Sequence, residues 1–235
     1  MLPHRMLIAA AIALILTPAR DASACPRLRH RSRVCLYRTQ TAVKNALPGY
    51  DSPERAFRAY LTGAVTEDFD QMLSALTPES RAYHVGLAMM SVGYLFDKAA
   101  GEKLLRDHGA DFFLHGHAPA TSTEAGRKNE PENEALVRVV LTIKNPGQLM
   151  KAIVVREEEI ARQWAKTGEP HDTRKQPTTE QLIGSVVLND VKINGSAASA
   201  DIELTQPAKD YVAAEWKTVK FRQIRDRWYC DIDPR

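Results

Sequence analysis

Apolar residues recur at helical spacing along much of the chain, and short sequence signals mark where helices begin. Ser52–Glu54 combines a favourable N-cap, a proline tolerated in the first turn and an acid at the positive end of the helix dipole. Thr77–Glu79 repeats this order, and Asn145–Pro146 is a further start. Apolar side chains follow each signal at intervals of three and four, and they also do so from Glu67 to Leu76. The pattern predicts an amphipathic helix in each of these places.

The C-terminal part of the chain alternates apolar and polar residues, which is typical of strands with one buried face. Asn194-Gly195 lies within Lys192–Asp201 and supplies the positive φ angles of a tight hairpin turn. A second ribbon runs through Trp216–Ile224 and returns through Trp228–Ile232. Helices first and a meander last predict an α+β fold, in which N-terminal helices pack on an antiparallel sheet built mainly from the C-terminal meander.

The middle of the chain breaks this order with two polar segments. Pro119–Glu134 and Lys166–Glu180 are poor in apolar residues and are interpreted as exposed linkers. Leu136–Ile143 between them is rich in β-branched residues and is predicted to be a strand. The piece between the linkers is too small to bury its own core. We therefore interpret residues from about 99 to 180 as a helical insertion in one domain spanning residues 51–235.

The first 24 residues have the features of a targeting segment. His4 and Arg5 precede the apolar run Met6–Leu16, and Ala22–Ala24 ends the stretch with small residues. A charged start, a short apolar core and an Ala-x-Ala site describe a cleavable secretory signal. The run is too short to cross a bilayer as a helix, which takes roughly 20 residues. The mature protein is therefore expected outside the cytoplasm, in the periplasm or secreted.

Cys25 directly follows the small residues, which leaves lipidation as an alternative to plain cleavage. A cysteine in this position resembles the lipobox of bacterial lipoproteins, where it is acylated and becomes the new N-terminus. A lipobox usually has leucine where Ala22 stands and usually abuts the apolar run, whereas Thr17–Asp21 intervenes here. The departures favour plain cleavage; lipidation at Cys25 would tether the protein to a membrane.

The cysteine count is odd, which leaves at least one thiol without an intramolecular partner in an oxidising compartment. The three residues are Cys25, Cys35 and Cys230. The sequence allows two disulfide pairings, one between Cys25 and Cys35 and the other between Cys35 and Cys230. Cys230 alternates with Trp228 and Ile232 along a strand, which favours a small buried residue at that position.

The charge is nearly balanced over the whole chain, with a formal net charge of +3 at pH 7. This value indicates no polyanion partner for the domain as a whole. Positive charge is concentrated in residues 25–50, predicted to be a flexible leader, where Arg27, Arg29, Arg31 and Arg33 recur. The run could contact an anionic envelope surface or remain solvated. No aromatic residue lies among these arginines to stack on bases, so no nucleic-acid partner is predicted.

The clustered histidines are His108, His115 and His117. His-x-His can place two imidazoles on one side of a strand, and Asp107 or Asp111 could supply a further metal ligand. Structural zinc sites show four closely spaced ligands, including cysteines in most cases, and this pattern is absent from the sequence around them. Neither a metal site nor another cofactor is predicted, although these histidines remain the candidates.

No known catalytic motif is present. The sequence has no Gly-rich phosphate loop, no Gly-x-Ser-x-Gly elbow and no zinc-protease helix. Asp201 and Glu203 alternate with apolar residues on one strand, so they are predicted to lie on the solvent-facing side of the sheet.

Both ends of the predicted domain resemble one known family. A first helix, a short second helix containing Asp-Phe and a Thr-Pro-Glu step precede terminal strands that carry Trp-Tyr. The segments concerned are Ser52–Leu61, Glu67–Leu73, Leu76–Ser80, Trp216–Ile224 and Arg227–Tyr229. They are similar to bacterial extracytoplasmic members of the nuclear transport factor 2-like (cystatin-like) superfamily. The resemblance covers residues 52–82 and about 182–232, and leaves out the middle.

This resemblance implies a curved sheet that wraps a long helix into a cone, whose interior can hold a ligand or an active site. Tyr60, Tyr83 and Trp216 are the implied ligand-binding candidates. Enzymatic members place an acid and hydrogen-bond donors there, for which Asp70, Tyr60 and His84 are the candidates. Without a clear catalytic set, the sequence favours a non-enzymatic binding or scaffold domain with a small apolar ligand. The alternatives are a lyase, isomerase or hydrolase, and envelope attachment through the leader; the oligomeric state is undetermined.

Overall fold

Helices form the first part of the described chain and strands dominate the last part. The computed structural model describes residues 49–110, 140, 142–165, 177–211 and 218–232. The helices within these ranges are α1 (Pro53–Thr66), α2 (Phe69–Ser74), α3 (Pro78–Leu95), α4 (Lys98–Asp107), α5 (Pro146–Ala165), α6 (Thr179–Gly184) and α7 (Ala208–Tyr211). The strands are β1 (Val186–Asn194), β2 (Ala197–Leu204), β3 (Thr218–Ile224) and β4 (Arg227–Cys230).

The predicted helix starts are confirmed at the level of hydrogen bonds. The Ser52 side chain accepts from the backbone N–H of Arg55 at the start of α1, and Thr77 does the same for Ser80 at the start of α3. Each start has proline in its first turn. The helix α5 begins at Pro146, as the sequence predicts. Local capping chemistry is enough to fix these boundaries.

The described strands form a four-stranded antiparallel sheet in the order β1-β2-β3-β4. The turn between β1 and β2 uses Gly195 with a positive φ of 59°, and Asn194 pairs with Ala197. The strand β1 begins at Val186, earlier than the predicted Lys192. A bulge between Asn189 and Lys192 shifts the register, and pairing with β2 continues on the other side of it as far as Val186. Together with the helices that precede it, this curved open sheet confirms the predicted α+β fold.

The helices α1 and α2 pack on one another, and α1 also packs on β4. The helix α5 packs on both α2 and α3. Met72, Leu73 and Leu76 are almost fully buried in the core between these elements, and Phe221 of β3 is buried with them. The core thus joins the N-terminal helices to the C-terminal sheet, which is the arrangement expected from their apolar faces.

The close packing of α1 on α2 depends on the absence of a side chain at Gly63. A Cβ atom there would lie 2.7 Å from the backbone oxygen of Asp68 and 2.8 Å from the Cα of Met72. It would be closer still to the backbone nitrogen of Met72. Since these are backbone atoms, no side-chain rotation can relieve such a clash.

The strand β4 is tied to the N-terminal part by backbone hydrogen bonds along its free edge. Tyr50 and Trp228 exchange two of them, with N···O distances of 3.2 and 2.8 Å. The N–H of Cys230 donates to the oxygen of Ala75 at 2.8 Å, and the oxygen of Cys230 accepts from the N–H of Thr77 at 3.0 Å. These bonds hold the end of the sheet against the connection between α2 and α3.

An ionic network strengthens the same junction. Arg222 Nη2 of β3 donates to Glu79 Oε2 at 3.1 Å and to Asp231 Oδ1 at 2.9 Å. The hydroxyl of Thr77 also donates to Asp231 Oδ1, at 3.1 Å. Burial lowers the pKa of Arg222, but the hydrogen bonds and charges of Asp231 and Glu79 outweigh it and raise that pKa above its ordinary value. The network links the first turn of α3 to the sheet.

We expect Arg222→Met to lower the free energy of unfolding by about 1–2 kcal/mol, because Glu79 and Asp231 would lose their shared cation. Urea unfolding at pH 7 measures the change. The matched control is Lys220→Met on the exposed face of the same strand, which should stay within about 0.5 kcal/mol of the wild type. Equal effects of the two substitutions would show that the network contributes nothing specific.

The predicted strand Leu136–Ile143 is wrong at the positions that the structure describes. Val140 is helical, and the N–H of Ile143 donates to the oxygen of Val140 at 3.1 Å, which is a local turn bond. The β-branched composition suggested a strand, but a strand also needs a neighbour, and Ile143 instead lies in a turn just before α5.

The predicted signal segment, the lipidation site and the leader up to residue 48 lie outside the described residues. The last two residues of the predicted leader, Gly49 and Tyr50, are described, and Tyr50 pairs with Trp228 of β4. Within the described ranges, no helix combines the length and the apolar character needed to cross a membrane.

Candidate functional site

The structure brings two of the sequence-predicted candidates together in the core, Tyr60 and His84. Tyr60 lies in the middle of α1 and His84 in the second turn of α3. The centroids of their rings are 6.2 Å apart, with an interplanar angle of 31°. Only 3% of Tyr60 and 2% of His84 is exposed to solvent. We call this pair the Tyr60–His84 site.

The polar atoms of this site are unsatisfied. Among the described residues, no hydrogen-bond partner is found for Tyr60 Oη, His84 Nδ1 or His84 Nε2. Nearly all buried polar side-chain atoms in folded proteins have a partner, so an unpaired group needs a physical explanation. Here three such atoms belong to two side chains whose rings lie close together, one on α1 and one on α3.

Burial keeps both side chains uncharged. It lowers the pKa of His84 to about 4, because the imidazolium form would lose its hydration. It also raises the pKa of Tyr60 far above its ordinary value, with a smaller contribution from the negative form of Cys230. At neutral pH the site therefore presents a phenol and a neutral imidazole. The phenol can donate one hydrogen bond and accept at least one, and the imidazole has one donor and one acceptor.

Further aromatic rings flank the pair. The ring of Phe57 lies 6.5 Å from that of Tyr60, and the ring of Tyr83 lies 5.8 Å from that of His84 in an edge-on arrangement. Tyr83 is half-buried, so the predicted candidate lies at the rim of the site and not at its centre. The rings of Phe57 and Tyr83 thus lie beside the Tyr60–His84 site.

Cys230 is the buried thiol that acts on the pKa of Tyr60. It is free and fully buried, which confirms its prediction as a small buried residue. Burial raises the pKa of its thiol well above the ordinary value, and the charge of Asp231 adds to this. The thiol is therefore not reactive in the way that exposed thiolates are. A bridge from Cys35 to Cys230 is not present; Cys25 and Cys35 lie outside the described residues.

Asp70, the first acid considered as a catalytic base, lies elsewhere. It is exposed in the first turn of α2, the solvent-facing position that the sequence also allowed. Its carboxylate is next to Gly147 in the first turn of α5, where a Cβ atom would lie 2.7 Å from Asp70 Cγ. An acid near the N-terminus of a long helix is stabilising through the helix dipole. The position gives Asp70 a structural role and does not bring it among the buried residues.

The acids on β2 are exposed, as predicted. Asp201 accepts a hydrogen bond from the hydroxyl of Thr218 at 3.2 Å, and Glu203 accepts one from the amide of Asn189 at 2.8 Å. These are bonds between neighbouring strands on the solvent-facing side of the sheet. They explain the two acids without any role in binding.

No metal centre is found among the residues that the structure describes, in which no group of three His, Cys, Asp or Glu could hold an ion. His108 is half-buried at the C-terminal end of α4. His115 and His117 lie outside the described residues, as do the binding candidate Trp216 and the arginines of the leader. The predictions made for those residues remain predictions.

The family resemblance made Tyr60 and His84 candidates, but nothing in the sequence indicated that the two side chains lie together. A signal was available: His84 lies in an almost uncharged helix, where a polar ring at a buried position requires a partner. Comparison of the chain with protein-family models, with curated proteins and with solved structures finds no match. The geometry of the Tyr60–His84 site therefore has to support the functional argument by itself.

Proposed function

We propose that this protein is an extracytoplasmic domain of the nuclear transport factor 2-like kind, and that it binds a small, mainly apolar ligand at the Tyr60–His84 site. The secretion-like N-terminal sequence supports the location. Helices packed against a curved antiparallel sheet support the family, as do the segments that resemble it. The ligand would contact α1 and α3, which would have to move apart to admit it, because the polar atoms of Tyr60 and His84 have almost no accessible surface.

The observation that carries the binding proposal is the set of unsatisfied polar atoms on Tyr60 and His84, counted over the described residues. Leaving a buried donor or acceptor unpaired costs about 1–3 kcal/mol for each group. A ligand that brings a polar group to these atoms recovers much of this cost, and apolar ligand surface fits the flanking rings. Part of the binding free energy would then come from hydrogen bonds to polar atoms that have no partner in the free protein.

The same site favours binding over acid–base catalysis. A general acid or base works best when its pKa lies near the working pH. The pKa of His84 is held at about 4 by burial, and that of Tyr60 is raised far above its ordinary range. Neither side chain exchanges a proton readily at pH 7. Asp70 is exposed on α2, so no observation favours it as the base of an enzyme acting at this site.

Native mass spectrometry of protein released from the periplasm of a bacterial host tests the proposal. We expect the wild type to carry a small molecule that is lost on unfolding and refolding. Tyr60→Phe removes one of the polar atoms and should greatly lower the fraction that carries this mass. Tyr94→Phe is the matched control, since it deletes the same hydroxyl from a side chain that is 90% exposed. It should behave as the wild type does.

The refolded, ligand-free proteins distinguish a ligand from a buried water. If Tyr60 Oη is unpaired in the free protein, Tyr60→Phe should leave stability unchanged or raise it by about 1 kcal/mol. Urea unfolding measures this, again beside Tyr94→Phe. A loss of about 1 kcal/mol or more in Tyr60→Phe, with no bound mass in the wild type, would mean that internal water satisfies the hydroxyl. That result would remove the basis of the binding proposal.

A further inference from the structure

We propose that Asn194, in the turn of the β1–β2 hairpin, is a site of spontaneous covalent modification, where the side-chain amide is lost and the backbone isomerises to isoaspartate. Asparagine is a labile residue, because the backbone nitrogen of the next residue can attack its side-chain carbonyl carbon. Of the asparagines in the chain, only Asn194 is followed by glycine, which has no Cβ atom to shield that nitrogen. The proposal does not depend on a ligand at the Tyr60–His84 site.

The turn of the hairpin leaves the reacting groups accessible. Asn194, Gly195 and Ser196 are all exposed. Among the described residues, no backbone acceptor is found for the N–H of Gly195. Apart from its chain neighbours, no atom of the described residues lies within 4 Å of the position that a Cβ atom of Gly195 would take. Solvent can therefore reach the attacking nitrogen, and there is room for a ring to form beside it.

The reaction consumes only water. A solvent base removes the proton from the nitrogen of Gly195, which bonds to Asn194 Cγ and closes a five-membered succinimide ring. The bond from Cγ to Nδ2 breaks, and Nδ2 takes up a proton from water and leaves as ammonia. Water then adds to one of the two ring carbonyl carbons and breaks its bond to the nitrogen of Gly195. Addition at Cγ gives aspartate, and addition at the backbone carbon gives isoaspartate, whose main chain passes through Cγ.

The position of Asn194 in the sheet makes the required rotation inexpensive. To bring the nitrogen of Gly195 to Cγ, the chain must rotate about the ψ angle of Asn194. This rotation opens the pair between Asn194 and Ala197, which is the last pair of the β1–β2 ladder. Pairs at the end of a ladder open at a lower free energy than those inside it. The folded protein therefore permits the attack by a local opening of the turn.

Two other described asparagines are held out of this reaction. Asn189 lies inside β1, and its side-chain amide donates a hydrogen bond to Glu203 Oε2 at 2.8 Å. Rotation at Asn189 would disrupt the pairing inside the strand. Asn145 is followed by Pro146, whose nitrogen has no proton to lose. Both residues serve as internal controls in the same molecule.

The two products should affect the hairpin differently. Isoaspartate adds one carbon to the main chain at position 194, which disturbs the pairing with Ala197. It also displaces Ser196, whose oxygen accepts a hydrogen bond from the N–H of Gln223 at 2.7 Å. Aspartate keeps the backbone and the side-chain shape of asparagine and adds a negative charge at an exposed position. Only the isoaspartate form should therefore lose stability.

The test keeps the purified protein folded at pH 7 and at pH 9 and samples it over time. Peptide mass spectrometry follows amide loss at each asparagine, and an isoaspartate-specific methyltransferase labels the isomerised product. We expect Asn194 to lose its amide before Asn189 and Asn145, and faster at pH 9, because the nitrogen of Gly195 must lose its proton. Asn194→Gln is the matched control, since it keeps an exposed amide but cannot close the five-membered ring. It should give no isoaspartate at this position.

Urea unfolding of the separated forms tests the structural consequence. The isoaspartate form should unfold at a lower urea concentration than Asn194→Asp, which represents the other product and should match the wild type. Conversion of Asn194 only after the protein is unfolded in urea would overturn the proposal, because the fold would then protect this turn. Conversion of Asn189 in the folded protein as fast as Asn194 would overturn it as well.

Discussion

Gly63→Ala is expected to lower the free energy of unfolding by about 3 kcal/mol, the upper end of the usual cost of overpacking. The added Cβ atom would lie 2.7 Å from the oxygen of Asp68 and 2.8 Å from the Cα of Met72. Because both are backbone atoms, α1 and α2 would have to separate. Separation would weaken the packing around Met72 and Leu73, which are almost fully buried.

Gly93→Ala is the matched control for this substitution. Gly93 is also a helical glycine, in α3, but apart from its chain neighbours and the backbone of its own helix, no atom of the described residues lies within 4 Å of the position that its Cβ would take. Alanine should therefore stabilise the protein by about 0.5–1 kcal/mol, the usual gain in an exposed helix. Urea unfolding of both variants gives the comparison. Stabilisation by Gly63→Ala as well would contradict the described contact between α1 and α2.

Local features of the fold could be predicted because the chemistry that fixes them is local. Ser52 and Thr77 each bond to a backbone N–H three residues later, so the sequence around them contains the whole interaction. The turn at Asn194-Gly195 is similar, since glycine supplies the positive φ that the hairpin needs. Capping and turn residues thus predicted the order of helices and strands, and the order predicted the α+β class.

Features that depend on distant contacts could not be predicted. Nothing in the residues around Gly63 indicates that the backbone of Met72 lies against it. The β-branched residues before α5 suggested a strand, but Val140 is helical and bonds to Ile143. The early start of β1 at Val186 depends on a bulge whose partner residues lie on β2. In each case tertiary context overrides local preference.

The candidate site also has features that the sequence could predict and features that it could not. Tyr60 and His84 could be selected from the sequence, because the family resemblance implies that side chains of these helices line a cone. Their lack of hydrogen-bond partners could not be predicted, since it depends on every atom that surrounds a buried polar group. Asp70 shows the converse: an acid beside an apolar residue looked like a candidate base, and its contact with Gly147 at the start of α5 gives it a structural role.

The stability of the refolded protein is expected to fall by about 3 kcal/mol as the pH decreases from 6.5 to 4, through His84 alone. The ordinary pKa of this side chain is 6.5, and burial lowers it to about 4 in the folded state. Between these values the unfolded chain binds a proton that the folded protein does not bind, so acid favours unfolding. The contribution of His84 is fully present well above pH 6.5 and does not decrease further well below pH 4.

His84→Leu isolates this contribution, because leucine is of similar size and does not titrate. Urea unfolding of both proteins across the range from pH 7 to 4 gives the difference in their pH dependence. Burial raises the pKa of Glu157, which favours the folded state in acid, but this effect is common to both proteins and cancels in the difference. The wild type should lose about 3 kcal/mol relative to His84→Leu over this interval. Parallel curves would instead mean that His84 keeps an ordinary pKa and is therefore hydrated, in conflict with a dry site between α1 and α3.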